Sequence, residues 1–296
     1  MEKLNKCPIC NNSNFTIFLK CVDFTTTKEV FEITKCNDCG FKFTNPRPNS
    51  DEILKYYDSP EYISHTNSNQ GIINWTYQQV KKFSIENKYK LIRSFVKRKD
   101  FTILDIGCGT ADFLKYCQTQ GAKCSGVEPN PKAREYCINT NNINTFKEED
   151  IDTFKNESFD VITMWHVLEH VHTLNRRIEE LNKLIKKDGI VIIALPNPES
   201  FDAIHYKQFW AGFDVPRHLY HFSSKNIIQL MEAANFNHIQ TRPMVFDSFY
   251  VSLLSEKYIN GKGNIIKAFC IGFFSYINSL FRANKSSSQI YIFRKA

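Results

Sequence analysis

No apolar run in this sequence is long enough to cross a bilayer. The strongest candidate, 265–281 (IIKAFCIGFFSYINSLF), offers an uncharged run of 14 residues between Lys267 and Arg282, and a spanning helix needs about 20. The opening MEKLNKCPIC has no apolar core, so no secretory signal is expected. Ten cysteines without an export signal favour free thiols and metal ligation over disulfides. Internal repeats and low-complexity tracts are lacking too, which excludes a repeat array. The expected location is the cytoplasm, with peripheral membrane contact through 265–281 as the alternative.

Composition sets no extreme. Hydrophobic residues make up 42% and charged residues 23% of 296, as in ordinary globular proteins. That length can bury a large core, as one big domain or a main domain with a small appendage. With 25 Phe, the core is expected to be Phe-rich. The formal net charge of +7 favours anionic partners without choosing among phosphates, nucleic acid and an acidic membrane face.

The chain divides into parts. Residues 1–48 are rich in Cys and end in TNPRP. Residues 49–99 read as helical, with Ile73, Tyr77, Val80, Ile85, Tyr89, Ile92 and Phe95 forming one apolar stripe and the Lys and Arg residues on a solvated face. From 100 to 246 strands alternate with helices. The strands are FTILDIG, KCSGVEP, NTFKEED, FDVITMW, GIVIIAL and HIQTRPMVF, and one helix is expected to run through LNRRIEELNKLIKKDG to Gly189. Such alternation, with strands apolar on both faces, means an α/β fold with a parallel, doubly wound sheet. Residues 247–288 read as helical inserted material before a last strand, QIYIFRKA.

The turn in ILDIGCGTADFL, 103–114, carries the first chemical signal. Gly107 and Gly109 follow a strand and open a helix, where backbone can approach a ligand and helix N–H groups meet negative charge. A dinucleotide site needs a third glycine, and Asp112 stands in its place. Glu128, in GVEPN, lies about twenty residues past the turn, where a carboxylate takes ribose hydroxyls. Asp150, in EEDI, ends the third strand near where an adenine would lie. A ribose clamp without the third glycine suits an adenosyl ligand that has no pyrophosphate.

LDIGCGTADFL, GVEPN, EEDI and FDVITMWHVLEHV together resemble the class I S-adenosylmethionine-dependent methyltransferases, in the branch with ubiquinone-type O-methyltransferases and enzymes of polysaccharide gene clusters. The resemblance covers about 100–246 and the closing strand. It implies that Asp105, Gly107 and Gly109 hold the methionine end, Glu128 the ribose, and Asp150 with Ile151 the adenine. It also implies a Rossmann-like, seven-stranded sheet whose last strand is antiparallel.

Cys7 and Cys10 in CPIC, and Cys36 and Cys39 in CNDCGF, form two C-x-x-C pairs. Four thiolates at this spacing suit a structural Zn²⁺ in a ribbon-like module that has little core of its own. Cys21 is not expected to be a ligand. Cys108, Cys117, Cys124, Cys137 and Cys270 are expected to be inert core residues. Basic residues in the ribbon are few, which disfavours nucleic acid as a partner.

The fourth strand is followed by MWHVLEH. It has neither the Asn/Asp-Pro-Pro-aromatic motif of base N-methylation nor the Pro-Cys of cytosine C5 chemistry. His166, Glu169 and His170 stand there at helical spacing. Proton removal from an acceptor hydroxyl is expected of His170 first and His218 second, with Glu169 orienting the imidazole or holding a metal. In ubiquinone-type enzymes this place supplies acidic and His ligands to a divalent metal, and His166 in the first position departs from that pattern. Past the fifth strand, DVPRHLYHFS resembles a segment of the polysaccharide-cluster branch. In the longer stretch after that strand, Arg217, His221, Tyr206 and Trp210 are candidate substrate contacts, the alternative being a structural clasp in which Asp214 or Arg217 pairs inside the loop. Helix 265–281 is read as a buried or homodimer-interface helix, or as an interfacial helix reaching a lipid-linked substrate.

The expected protein is a methyltransferase of 100–296 with a zinc module and helical insertions, acting on a small-molecule or lipid-linked glycan precursor. A quinone or phenol O-methyltransferase is the alternative. A non-catalytic adenosyl-binding or zinc-ribbon interaction protein is the alternative outside that class.

Overall fold

In a computed structural model, residues 1–58, 72–244, 246–281 and 283–296 are described. The side chains of Ile73 and Tyr77, and Arg282, lie outside the described residues. The first strands, β1 (Phe15–Val22), β2 (Val30–Cys36) and β3 (Lys42–Thr44), form an antiparallel meander between and just after the cysteine pairs. Helix α1 (Ile72–Phe95) follows; it buries Tyr89 and Ile92, half-buries Ile85 and Phe95, and leaves Val80 exposed.

The alternating region then runs β4 (Thr102–Ile106), α2 (Asp112–Thr119), β5 (Lys123–Val127), α3 (Pro131–Asn139), β6 (Asn144–Phe146), β7 (Phe159–Trp165), α4 (Leu174–Leu184), β8 (Ile185–Pro196) and α5 (Phe201–Tyr206). Local chemistry sets the helix ends. Asn130 caps α3 by accepting from the Lys132 and Ala133 amides, with Pro131 in the first turn, where its missing N–H and fixed φ cost nothing. Helix α4 buries Leu174, Ile178, Leu181 and Leu184, an i, i+4, i+7 stripe laid on the sheet.

Helix α4 stops at Leu184, and the expected helical tail to Gly189 is instead the start of β8. The reason is tertiary. Ile185 is fully buried opposite Phe159, and Lys186 reaches across to Asp160 at 3.0 Å. The remainder is β9 (Tyr220–His221), α6 (Ser224–Ala233), β10 (Phe236–Pro243), α7 (Asp247–Asn260), α8 (Ile265–Phe281) and β11 (Ser288–Lys295).

Seven strands pair in the order β10-β11-β8-β7-β4-β5-β6. β11 is antiparallel to both its neighbours, while β4 through β8 pair in parallel. This is the Rossmann-like doubly wound fold. The chain runs outward from β4 to β6 and returns to the other side of β4 at β7, so strand order reverses between β4 and β7. Ligands of such sheets bind at that point, outside the carboxyl ends of the strands.

The N-terminal meander is not a free appendage. Strand β9 pairs with β3 and completes a four-stranded sheet. Phe31, Ile33, Phe41 and Phe43 share one core cluster with Leu104, Met164 and Leu195 of the large sheet.

The inserted helices pack by small residues. Ala268, Gly272, Ser275 and Ser279 are the buried positions of α8. A Cβ at Gly272 would lie 2.9 Å from the Phe249 Cα, so α7 and α8 approach closely there. The large apolar residues point away, with Ile266, Phe269, Phe274 and Leu280 all exposed. Of the alternatives for 265–281, this excludes burial within the chain and leaves an outward-facing apolar surface. Cys270, expected in the core, is exposed with them. Among the described residues no helix is long and apolar enough to cross a membrane.

Candidate active site

The turn after β4 sits at the strand-order reversal. Gly107 has φ +73° and Gly109 φ +54°, a left-handed conformation that side chains disfavour. A Cβ at Gly107 would meet Val167 Cγ2 at 2.4 Å, so the β4 and β7 ends close tightly on each other, while above Gly109 the space is open. Glu128 braces this turn. Its Oε2 accepts from the Gly109 amide at 2.8 Å and its Oε1 from the Asn130 amide at 2.9 Å. Each oxygen keeps a second lone pair for a ligand hydroxyl. Burial raises the Glu128 pKa against the pull of those two amides and Arg134.

Asp105 is buried beneath, with Oδ1 accepting from the Thr163 hydroxyl at 2.5 Å. Burial pushes its pKa up to about 7, against the Thr163 hydrogen bond and the Lys88 charge, which hold it down. Ile151 is buried, and Asp150 spends one oxygen on the Lys147 amide at 3.2 Å. Asp112 opens α2, accepting from Thr110 Oγ1 at 2.5 Å and Lys81 Nζ at 2.8 Å. Asp112 thus stands in the first turn of α2, where the dinucleotide fingerprint has its third glycine for close helix–strand packing.

Lys88, expected on the solvated face of 49–99, instead turns toward the site. Its ammonium lies 4.3 Å from the Trp165 ring and 5.8 Å from the Phe113 ring. Burial draws its pKa down to about 8 against the hold of Asp105 and Asp247. The signal was present: Lys88 stands three residues after Ile85 and four before Ile92, inside the buried stripe.

The segment after β7 differs from the expected helical turn. His166 has φ +57°, and a short 3₁₀ turn covers Leu168–His170. A left-handed histidine is uncommon and costs backbone strain, a feature that clusters at functional sites. His166 Nδ1 lies 3.4 Å from Glu169 Oε1 and its Nε2 3.4 Å from the Met244 sulfur. Burial disfavours its charged form, but Glu169 and Asp247 outweigh that and raise its pKa. Glu169 itself is fully buried, and the His166 imidazole is the cationic partner of its carboxylate among the described residues.

The expected order of the histidines does not fit their surroundings. His170 Nδ1 is held by the Tyr57 hydroxyl at 2.9 Å and the Arg217 carbonyl at 3.0 Å, and burial with His218 beside it brings its pKa down to about 4. His218 is buried with Nδ1 on the Gly212 carbonyl at 2.9 Å. His166 is the imidazole at the β7 end that shares the fields of Lys88 and Asp247.

The expected substrate contacts are also elsewhere. Arg217 is 1% exposed and bonds Asp214 at 2.6 Å, Asp23 at 3.0 Å and the Tyr56 carbonyl at 2.8 Å. All of its reach is used in a clasp between the N-terminal meander and the loop. Trp210 is buried and donates to Asp202 at 2.7 Å. Tyr206 is buried in the neighbourhood of Glu256 and Ser252. His221 is buried in β9, 3.3 Å from Thr44 Oγ1. These four are packed or clasped, which corrects the assignment of a substrate to them.

The cysteine pairs do converge. The Sγ atoms of Cys7, Cys10, Cys36 and Cys39 lie within 4.8 Å of one another, with Cys7–Cys39 and Cys10–Cys36 each at 3.5 Å. Sulfurs about 2.3 Å from a tetrahedral Zn²⁺ stand slightly under 4 Å apart, so the set fits the ion. Asn11 (φ +59°) and Gly40 (φ +77°) close the two knuckles, donating to the Cys7 and Cys36 carbonyls. Cys21 is buried and outside the cluster.

The sequence model of a family described as a methyltransferase domain matches residues 74–241. An uncharacterized protein of Methanocaldococcus jannaschii is 25% identical over 155 residues, 50% of this chain and 63% of that protein. The chain therefore spans less than two thirds of that relative. The ubiquinone biosynthesis O-methyltransferase of Pelagibacter ubique is 29% identical over 177 residues, 53% of this chain and 74% of that enzyme. Among solved structures, a SAM-dependent methyltransferase from Archaeoglobus fulgidus superposes with a TM-score of 0.52 at 18% identity, covering 72% of this chain and 94% of that one.

Proposed function

The chain belongs to the methyltransferase-domain family, and from that premise we propose that it is an S-adenosylmethionine-dependent methyltransferase. The observation that carries the proposal is Glu128, whose carboxylate bridges the Gly109 and Asn130 amides, with Asp112 in place of the third glycine of a dinucleotide site. Glu128 would take the ribose hydroxyls, Asp105 the ammonium and Lys88 the carboxylate of the methionine end. Asp150 and Ile151 would flank the adenine. Glu128→Ala should weaken S-adenosylhomocysteine binding by about 2–4 kcal/mol, the loss of two charge-assisted hydrogen bonds. Calorimetry on a variant with unchanged melting behaviour checks this, and undiminished affinity would count against the assignment.

Bound S-adenosylmethionine supplies a methyl group already activated on a sulfonium. The chain's own task is to align the acceptor and remove its proton. His166 is assigned that proton, with the Glu169 carboxylate stabilising the imidazolium that results. The preferred acceptor is a sugar hydroxyl, or a sugar carbon, of a nucleotide- or lipid-linked glycan precursor. A quinone or phenol hydroxyl is the second reading, favoured by the likeness to the Pelagibacter enzyme. Methyl transfer from labelled cofactor onto matched panels of sugar nucleotides and demethylated quinones separates the two.

The four-cysteine cluster is assigned a structural Zn²⁺, since all four positions are protein thiols. Helix α8 is assigned to a lipid interface, because its apolar side chains face outward and a lipid-linked acceptor would be presented there. The wild-type protein should pellet with liposomes, and Phe273→Ser with Phe274→Ser should release it without unfolding. A wild type that stays in the supernatant, with a dimer lost in the double variant, would assign the face to a second copy of the chain.

A further inference from the structure

We infer that the cleft between the first cysteine knuckle and the start of α4 binds the phosphoryl group of a phosphate or diphosphate ester. The cleft has a volume of about 330 Å³, in the range of small-molecule sites. Lys6, Arg47, His172 and Arg176 line it, and no Asp or Glu does. It shares no lining residue with the Gly107–Gly109 turn or with the His166–Glu169 pair.

Three features point to an anion. The first is the end of α4, a helix of 11 residues that meets the cleft at Thr173, Leu174, Asn175 and Arg176. Thr173 makes no side-chain cap, and no acidic residue stands in the first turn. The first amides of a helix have no intrahelical acceptor, and the partial positive charge at that end draws an anion to them. The second feature is Arg47, which is 3% exposed. Its Nε donates to Glu2 Oε1 at 2.6 Å and its Nη2 to the His172 carbonyl at 3.2 Å, while Nη1 makes no hydrogen bond among the described residues. A buried donor without an acceptor is costly, and a phosphoryl oxygen would supply one. The third is Lys6, an exposed ammonium on the knuckle side of the cleft.

The neighbouring carboxylates decide which cations count. Glu2 offsets part of the Arg47 charge, and Asp152 at 2.7 Å and Glu180 at 2.9 Å hold Arg176. The attraction therefore falls on Lys6, the remaining nitrogen of Arg47 and the helix amides. Donors from three separate segments suit an oxyanion with several acceptor oxygens better than a carboxylate. Leu4 and Pro8 also line the cleft and give apolar surface to the esterified group. The inference deepens the glycan-precursor reading, whose acceptors carry a diphosphate, and it rests on that reading for the origin of the ester.

Inorganic pyrophosphate tests the site on the full, zinc-loaded chain, by calorimetry at fixed ionic strength. Saturable binding at one site per chain is expected. Lys6→Gln and Asn175→Asp should each weaken it by about tenfold, the worth of one charge-assisted contact. Asn175→Asp sets a carboxylate among the first amides of α4, which favours the helix while repelling the anion, so an undiminished melting temperature should accompany the loss. A nucleoside diphosphate and a short prenyl diphosphate, titrated in turn, give the source: the one bound more tightly than pyrophosphate assigns a nucleotide-linked or a lipid-linked ester. Pyrophosphate bound more tightly than both would contradict an ester ligand. No saturable binding of pyrophosphate, or binding indifferent to both variants, would overturn the site. S-adenosylhomocysteine is titrated into the same samples. Its binding in the absence of pyrophosphate binding removes this site and leaves the methyltransferase reading standing, and the reverse result removes that reading alone.

Discussion

Removal of zinc from the cysteine cluster should unfold residues 1–48 and stop methyl transfer while leaving the cofactor bound. Purified protein should carry Zn²⁺ on Cys7, Cys10, Cys36 and Cys39, and apparent binding energies for such sites are about 10–16 kcal/mol. The module has few residues with which to replace that. Its loss would not stay local. β9 would lose its partner β3, Arg217 would lose Asp23, and the loop that holds His218 would be freed. The Gly107–Gly109 turn is braced by Glu128 and Asn130, outside the module, so cofactor binding should persist. Cys36→Ser removes the ion without a chelator. Hydrogen exchange should then show the first 48 residues unprotected and the parallel strands protected. A zinc-free, reduced sample with its first 48 residues still protected would refute the structural role.

His166→Ala should cut turnover by about 10²–10⁴-fold with cofactor affinity intact, the span expected when a general base is removed. The residue's place supports that size. It directly follows β7 in a left-handed conformation, leans on Glu169 at 3.4 Å, and shares its surroundings with Lys88 and Asp247. An acceptor hydroxyl is a very weak acid, and an imidazole is the side chain suited to take its proton near neutrality. Turnover and S-adenosylhomocysteine binding should both be measured. Near-normal turnover would mean that the acceptor needs no base, as with a ready-made carbanion or thiolate.

What was legible in the sequence was local. Strand, glycine turn and helix follow one another within 103–114, and the spacing to Glu128 is set by one strand–helix unit. The C-x-x-C pairs read directly because a knuckle is a four-residue object. What was not legible depends on residues far apart in the chain. Arg217 looked like an anion binder until Asp23, 194 positions away, took its guanidinium. Lys186–Gly189 read as a helix end because its polar residues give no strand pattern, whereas the partner that makes it a strand is β7. The DVPRHLYHFS segment reads as a source of substrate contacts because nothing local says that β9 completes a sheet begun at Phe15. The pairing of His166 with Glu169 was not legible because sequence spacing does not show which imidazole a buried carboxylate will face.

The central claim is that the turn after β4 holds an adenosyl ligand without a pyrophosphate. Calorimetric titration of the wild-type chain with S-adenosylhomocysteine and, side by side, with NAD tests it most directly. The account predicts saturable binding of S-adenosylhomocysteine at one site per chain and none of NAD, because Asp112 stands where a dinucleotide site needs its third glycine. Tight binding of NAD, or no binding of S-adenosylhomocysteine, would contradict it.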